Sequence, residues 1–318
     1  MAGEPYDFLV VIPTYRRPEF LVEAIKSSLA QQGATKTLVV VDDCPDGSAE
    51  AAVAGIGDPS IHYIRNPNRS RGGPAPVRNY GFGQAKAMGR SGTYVHFLDD
   101  DDLAPEGYYA DAKAAFEARP DRGVVFGTLA AFSRLSDDPV KRARQETHLR
   151  NEQTYFGNTE RMVRVYCKLG EALGLPGFTQ WLYTEHALFG HPLFFCGCCL
   201  IRSSLVERLG GFPEDIRLTE DLRFFGHAVR RFGAHFIDRP ACKYRMSDRS
   251  LTRSQDIPQA ERDAEVEEVK RTLRQWQSEL KRELGPPSFY ARKIAYRLMV
   301  RPLVERVVLP FAFPAAWQ

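Results

Sequence analysis

Four consecutive carboxylates, Asp99 to Asp102, point more directly to chemistry than any other stretch of this chain. Adjacent carboxylates repel one another and raise each other's pKa, so an opposite charge is needed to keep them ionised. Mg²⁺ or Mn²⁺ is a natural partner, because these ions commonly bridge carboxylates to substrate phosphates. Capping of a helix that begins near Pro105 is the alternative, but it would use only one or two of the four. The pattern therefore predicts a metal site.

Three further loops carry polar residues that could bind a ligand. Thr14 to Arg17 follow one apolar run, and Asp42-Asp43 follow another. An acidic pair at the end of a strand can accept hydrogen bonds from a ribose or a base, although helix N-capping by either residue remains an open alternative. The third loop is rich in glycine and in cations suited to phosphate, namely Arg69, Arg71 and Arg78.

An alternation of strands and helices must position these groups. Runs of apolar, aromatic and β-branched residues predict strands at 8–12, 37–41, 61–64 and 93–98. Apolar residues at helical spacing predict a helix at 19–31, and further helices are expected at 77–88 and 222–232. Continuous apolar strands separated by helices indicate a parallel sheet with right-handed crossovers. Ligands of such sheets bind at the carboxyl ends of the strands, which is where the polar loops lie.

Composition and motifs argue against several classes of protein. The net charge of +3 does not indicate wholesale nucleic-acid binding. No G-x-G-x-x-G follows the first strand and no G-x-x-x-x-G-K-[ST] occurs, which disfavours dinucleotide and P-loop chemistry. The N-terminal residues lack the regions of a signal peptide, no apolar run is long enough to span a bilayer, and the six cysteines form no disulfide framework. We therefore expect a reduced, cytoplasmic protein with buried thiols.

Four ordered motifs resemble those of the family 2 glycosyltransferases of GT-A fold. They are Val10–Arg17 (VVIPTYRR), Val40–Asp43 (VVDD), Gly73–Asn79 (GPAPVRN) and Phe97–Asp102 (FLDDDD). The resemblance extends over approximately residues 8 to 244. It implies an α/β fold with a mostly parallel, Rossmann-like sheet flanked by helices. It also implies a nucleotide-sugar donor, usually a UDP-sugar.

The same resemblance implies roles for individual residues. Asp42 or Asp43 would contact the base, Asp99 would lie near the ribose, and Asp101 would be the ligand of Mn²⁺ or Mg²⁺. The nucleotide-sugar site implied in this way comprises Pro13, Tyr15, Arg16, Asp42, Asp43, Arg78, Asp99, Asp100 and Arg245. Many relatives carry a histidine where this chain has Ser247, so the cation beside the diphosphate would come from Arg245, Arg249 or Arg253.

Glu220-Asp221 begins a predicted helix after the turn Gly210-Gly211-Phe212-Pro213. Acidic residues in a first helical turn ordinarily just interact favourably with the helix dipole. Here the pair resembles the family's ED motif, which implies that Asp221 is the catalytic base. An acceptor hydroxyl is a poor nucleophile until its proton is removed, and direct displacement by it inverts the anomeric configuration.

The second half is less regular. Residues 133–153 are polar and predict a mobile or surface segment. Residues 178–195 are rich in aromatics that could stack on a sugar or simply form core. We expect a GT-A domain over 1–255 and a helical extension over 256–318. The tail after residue 287 is basic and amphipathic, and could lie on an anionic membrane, on the catalytic domain or in a homodimer.

The expected function is an inverting, metal-dependent transfer of a sugar to a cell-surface glycan or lipid-linked saccharide. The alternatives are a sugar nucleotidyltransferase and a nucleotide-sugar-binding module without turnover. A nucleotidyltransferase should carry a glycine-rich loop after the first strand, where this chain has Pro13-Thr14-Tyr15-Arg16-Arg17-Pro18. Retention of the Asp99/Asp101 pair and of Asp221 argues against a non-catalytic module.

Overall fold

The computed structural model describes residues 6–67, 73–189, 193–216, 218–246 and 259–300. Two compact units divide the chain: unit 1 comprises Met1–Leu129 and Phe194–Tyr244, and unit 2 comprises Ala130–Leu193 and Arg245–Gln318. The boundary expected at residue 255 stays a prediction. Among the described residues no helix is both long and apolar enough to cross a bilayer.

Seven strands of the described residues form one sheet in the order β3-β2-β1-β4-β6-β5-β7. Strands β1 to β4 are mutually parallel, whereas β6 lies antiparallel to both β4 and β5. The predicted mostly parallel sheet is therefore confirmed. The strands are β1 (Tyr6–Thr14), β2 (Lys36–Asp42), β3 (Ile61–Arg65), β4 (Gly92–Phe97), β5 (Val124–Phe132), β6 (Cys199–Arg202) and β7 (Ala234–Arg245).

Helices connect these strands and cover the sheet. Those in the first unit are α1 (Pro18–Leu29), α2 (Glu50–Ala54), α3 (Ala75–Ala87), α4 (Tyr108–Ala118), α7 (Ser203–Leu209) and α8 (Glu220–Phe232). A 3₁₀ turn at Cys196–Cys198 precedes β6. Central strands are buried on both faces, with residues 8–12 and 38–41 at most 1% exposed. That burial is why their sequences are continuously apolar rather than alternating.

The second unit is helical, with α5 (Pro139–Ala172), α6 (Pro176–Phe189), α9 (Gln259–Leu284), α10 (Pro286–Ala295) and a π-helical turn at Tyr296–Val300. Helix α5 includes much of the segment predicted as a mobile or surface region. Asp138 caps this helix by accepting a hydrogen bond from the Lys141 N–H at 2.8 Å, and Pro139 occupies its first position. The first turns of α5 are largely exposed and carry no apolar periodicity, so the usual helical signal was missing.

Candidate active site

Strand register brings the polar loops to one edge of the sheet. Thr14 at the end of β1 pairs with Asp42 at the end of β2, and Val11 of β1 pairs with Phe97 at the end of β4. The four aspartates therefore leave the sheet beside the loops that follow β1 and β2. This edge is the ligand-binding edge of an open parallel sheet.

Asp100 points inward from this edge and is only 6% exposed. The Thr14 hydroxyl donates to its Oδ2 at 2.7 Å, and Arg17 Nη1 donates to its Oδ1 at 3.2 Å. Burial, and then the charge of Asp101, raise the pKa of Asp100 to about 7, although Arg17 opposes the shift. The contacts with Thr14 and Arg17 thus hold the Asp100 carboxylate beneath the loop that follows β4.

Asp101 also contacts Arg17, whose Nη1 donates to Oδ2 at 2.7 Å. Both side chains are only partly accessible, 16% for Arg17 and 15% for Asp101. Burial lowers the pKa of Arg17, but the charges of Asp101, Asp100 and Asp99 outweigh it, so the net shift is upward. The positively charged guanidinium of Arg17 therefore already contacts Asp101, the carboxylate predicted to bind a metal.

Arg78 is buried in the first turns of α3 and joins two acidic residues. Its Nη2 donates to Asp99 Oδ1 at 2.5 Å, and its Nη1 donates to Glu220 Oε1 at 2.6 Å. Burial lowers the pKa of Arg78, yet the charges of Asp99, Glu220 and Asp221 raise it well above its ordinary value. The Arg78 side chain is 3% exposed, whereas that of Asp99 is 35% exposed.

Asp221, in the first turn of α8, is oriented by backbone donors. The Cys196 N–H donates to its Oδ2 at 3.1 Å, and the Leu222 N–H donates to its Oδ1 at 2.8 Å. Burial, with a contribution from Asp99, raises the pKa of Asp221 despite the opposing charge of Arg78. A carboxylate with a raised pKa and fixed geometry is suited to act as a general base.

Glu220 beside it has a pKa raised to about 7, chiefly by burial, although Arg78 opposes the shift. The preceding residue, Thr219, has a φ of 68°. This left-handed conformation is strained for a β-branched residue, and such strain concentrates at functional sites.

The two aspartates after β2 differ in their surroundings. Asp42 is fully buried and accepts hydrogen bonds, each 2.9 Å long, from the Cys44 N–H, the Ala49 N–H and the Tyr63 hydroxyl. It therefore closes the loop after β2. Asp43 accepts a hydrogen bond from Asn66 Nδ2 at 2.7 Å and is 9% exposed.

The remaining predicted ligands among the described residues are Pro13, Tyr15, Arg16 and Arg245. Pro13 is buried within β1, opposite Val41. Tyr15 is 38% exposed, and the Arg16 guanidinium lies 5.3 Å from the centroid of its ring. Arg245, at the end of β7, is buried and stacks over the Phe132 ring at 4.6 Å. The described residues do not include Arg69, Arg71, Ser247, Arg249 or Arg253, nor the tail from residue 301.

A buried network beneath the site was not predicted. His96 in β4 contacts the Tyr109 hydroxyl through Nδ1 at 2.8 Å and the Gly197 carbonyl through Nε2 at 2.9 Å. Burial lowers the pKa of His96 to about 4, so the ring is neutral and its Nε2–H donates to that carbonyl. This bond supports the 3₁₀ turn whose Cys196 N–H orients Asp221. Sequence offers no signal for a contact between residues 101 positions apart.

The same turn needs a glycine at position 197. A Cβ there would lie 2.9 Å from Cys242 Sγ and 3.2 Å from Asp102 Oδ2. Asp102 is therefore enclosed behind the turn, where the Cys242 thiol donates to it at 3.4 Å. Five of the six cysteines are buried, and the predicted burial of the thiols in the run 196–199 is confirmed.

Among the described residues, no group of three or more His, Cys, Asp or Glu side chains could hold a metal by itself. The candidate metal ligands are the carboxylates of Asp99 and Asp101. Such a set fits Mg²⁺ or Mn²⁺, which are commonly bound through one or two carboxylates plus substrate phosphates. The Arg17 guanidinium already on Asp101 shows that this oxygen is presented to a cation.

The chain is similar to known proteins in sequence and in fold. Glycosyl transferase family 2 matches residues 9–172, about half of the chain. ExoO, a succinoglycan biosynthesis protein of Rhizobium meliloti (strain 1021), is 41% identical over 96 residues. That alignment covers 30% of this chain and 26% of ExoO, so the chain matches only about a quarter of this relative.

Two solved structures share the fold at low sequence identity. S. aureus TarS 1–349 in complex with UDP-GlcNAc has a TM-score of 0.55 and 15% identity, covering 96% of this chain and 79% of TarS 1–349. Mannosyltransferase PcManGT from Pyrobaculum calidifontis, in complex with GDP-Man and Mn²⁺, has a TM-score of 0.53 and 19% identity, covering 98% and 83%. The predicted GT-A fold is confirmed, and the chain belongs to glycosyl transferase family 2.

Proposed function

We propose that this protein transfers a sugar from a nucleotide-sugar donor to a hydroxyl group of a glycan or lipid-linked saccharide, with inversion at the anomeric carbon. Asp221 carries the proposal. Its carboxylate is oriented by two backbone N–H groups, and Arg78 links Asp99 to the neighbouring Glu220. Residues from α3, the loop after β4 and α8 thereby hold a base and a donor-binding acid together.

In this reaction Asp221 accepts the proton of the acceptor hydroxyl while the oxygen attacks the anomeric carbon. The bond from that carbon to the diphosphate breaks, and the nucleoside diphosphate leaves from the opposite face. Removing the proton in the transition state makes the hydroxyl an adequate nucleophile. The backbone donors keep the carboxylate from rotating away from its substrate, so orientation is arranged before the substrate binds.

A divalent cation is part of the proposal. Asp101, assisted by Asp99, would hold Mn²⁺ or Mg²⁺, which when bound stabilises negative charge on a leaving diphosphate. PcManGT was solved with GDP-Man and Mn²⁺, which supports this assignment. The number of carboxylates at the edge also supports it, because three of them, Asp99, Asp100 and Asp101, face only two largely buried arginines.

We take the donor to be a UDP-sugar and the acceptor to be a polysaccharide precursor. TarS binds UDP-GlcNAc, and ExoO is a succinoglycan biosynthesis protein, which is the support for each choice. On the protein's side, Asp43 would accept hydrogen bonds from the base, because the oxygens of Asp42 already serve the loop. Tyr15 and Arg16 are exposed in the loop after β1 and would line the nucleotide.

Peripheral contact with an anionic membrane is the last element of the proposal. Helix α10 and the turn after it have an inward face, where Phe289 packs with Trp276 and Leu280. Their outward face carries Tyr290, Ile294 and Leu298, which are 49%, 56% and 73% exposed. Residues at this spacing share one helical face, and lysines and arginines flank them, as in helices that lie in a membrane interface.

A panel of UDP-, GDP- and other nucleotide sugars tests the proposal. With purified protein we expect release of nucleoside diphosphate from one of them, loss of this release in EDTA, and a product of inverted anomeric configuration by ¹H NMR. Thermal stabilisation by a nucleotide sugar without any turnover would instead identify a binding module. Synthesis of a nucleotide sugar from a nucleoside triphosphate would identify a nucleotidyltransferase.

A further inference from the structure

Arg17 is the last residue of the motif Val10–Arg17, and the family resemblance implies no role for it. It precedes α1 and directs one nitrogen, Nη1, at both Asp100 and Asp101, at 3.2 and 2.7 Å. These carboxylate side chains are 8% and 15% exposed, so the ion pairs are largely shielded from water. Shielded pairs are screened much less by salt than surface pairs.

The role of this arginine is separable from helix capping. The backbone carbonyl of Arg17 accepts the hydrogen bond from the Leu21 N–H at 3.0 Å that begins α1, and the side chain makes no capping bond. Replacing the guanidinium leaves that backbone bond in place. The side chain instead supplies a permanent positive charge, because an arginine does not lose its proton in a protein.

A permanent cation on Asp101 opposes the binding of a second cation to the same carboxylate. The repulsion falls only if further negative charge arrives, and a nucleoside diphosphate brings that charge. The ion pair with Asp100 keeps Arg17 in place throughout, because Thr14 holds the other oxygen of Asp100 at 2.7 Å. Arg17 therefore remains near any metal bound at Asp101.

We propose that Arg17 is a positioning residue that competes with the divalent cation for Asp101, so that the metal is held firmly only together with the donor's diphosphate. The proposal rests on the metal-dependent function described above. It makes the order of binding a property of this chain: the free enzyme holds metal weakly, and the donor recruits it. Arg17 thereby limits the capture of metal when no donor is present.

Mn²⁺ binding tests this directly, with free Mn²⁺ followed by electron paramagnetic resonance in the presence and absence of UDP. A charge within about 4–6 Å changes the proton affinity of a carboxylate by roughly 10-fold or more, and we expect a similar effect on Mn²⁺. Arg17→Ala should therefore bind Mn²⁺ without UDP at least about 10-fold more tightly than the wild type, by the same reasoning. The further gain on adding UDP should shrink in this variant.

Three variants keep the result interpretable. Arg17→Gln removes the charge but retains hydrogen-bonding groups, and it should behave as Arg17→Ala does if the latter folds poorly. Arg17→Lys keeps the charge and should resemble the wild type. Adding Asp101→Asn to Arg17→Ala should abolish the gained affinity, which locates the gain at Asp101.

Arg119→Ala is the matched control, since it removes one arginine whose exposed partner is Asp121 at 3.2 Å. It should leave Mn²⁺ binding unchanged. Equal or weaker Mn²⁺ binding by both uncharged Arg17 variants would overturn the competition while leaving the proposed transferase intact. Failure of every protein, wild type with UDP included, to bind Mn²⁺ would overturn both.

Discussion

Arg78 Nη1 lies 2.6 Å from Glu220 Oε1, a contact between residues 142 positions apart. Because the other terminal nitrogen of Arg78 contacts Asp99, one guanidinium joins α3, the loop after β4 and the start of α8. The acid expected near the donor ribose and the helix that carries the expected base therefore share one counterion. The relationship makes Arg78 a structural centre of the site as well as a candidate ligand.

Replacement of this arginine should be costly. Arg78→Met removes the charge and leaves two carboxylates without it, one of them buried. Breaking a buried ion pair in this way costs about 3–5 kcal/mol, so urea unfolding should show a loss of that order. Arg119→Met, at an exposed pair, should change stability by less than about 0.5 kcal/mol. Equal effects of the two substitutions would show that Arg78 does not stabilise the site.

Asp101→Asn should abolish metal-dependent transfer with little change in the fold. The carboxylate is at the edge of the sheet and serves a cation, and an amide is a much weaker ligand for Mg²⁺ or Mn²⁺. Transfer assays across a range of Mn²⁺ concentrations, with circular dichroism as the check on folding, measure this. Asp121→Asn removes an exposed carboxylate elsewhere and is the control. Full activity of Asp101→Asn in EDTA would remove the metal from the mechanism.

Asp221→Asn should retain donor affinity and lose at least about 100-fold in kcat, the lower range for loss of a general base. Because burial raises the pKa of Asp221, the base form is lost at a higher pH than for an ordinary aspartate. Activity of the wild type should therefore fall as pH drops, beginning above the ordinary aspartate range near pH 4. Weaker donor binding with unchanged turnover would make Asp221 a ligand of the donor.

The contribution of Asp100 to the stability of the donor-free protein should decline as pH rises from about 4 to about 7, because the pKa of Asp100 is about 7 in the folded protein and about 3.9 unfolded. A raised folded-state pKa contributes stability below the unfolded value, and this is lost as pH rises through the folded value. Each such group gives a slope of at most about 1.4 kcal/mol per pH unit. Asp100→Asn should flatten the slope in urea unfolding, and the same slope in this variant would contradict the account.

The outward face of α10 provides a test of membrane contact that does not require truncation. Truncation after Gly285 would remove Arg292, whose Nε donates to the fully buried Glu185 at 2.5 Å. Ile294→Asp with Leu298→Asp should instead weaken sedimentation with anionic vesicles at low salt by at least about 10-fold, because each buried apolar side chain contributes roughly 1.5–3 kcal/mol.

Val140→Asp is the control for this substitution, since Val140 is 64% exposed and lies at the start of α5. It should leave vesicle binding unchanged. If Ile294→Asp and Leu298→Asp alter the molecular mass in solution while wild-type protein ignores vesicles at every salt concentration, the face is a dimer contact.

The sequence by itself determined the strands of the parallel sheet and the residues at its ligand-binding edge. Strands that are buried on both faces have mostly apolar sequences, such as 8–12 and 37–41. Motifs such as Phe97–Asp102 lie where such runs end. Both signals depend only on residues that are neighbours in the sequence, so the sequence alone shows them. The long polar start of α5 carried no such periodicity, and its helix was missed.

Tertiary structure alone decided which side chains meet. Arg17 reaches Asp101 across 84 positions, Arg78 reaches Glu220 across 142, and His96 supports the turn at Gly197 across 101. The tertiary structure also gave Asp42 and Asp43 different surroundings, although the two are adjacent in sequence. The carboxylate of Asp42 accepts three hydrogen bonds that close the loop after β2. Such contacts depend on how distant elements pack and on which groups lose water, and no local pattern records either.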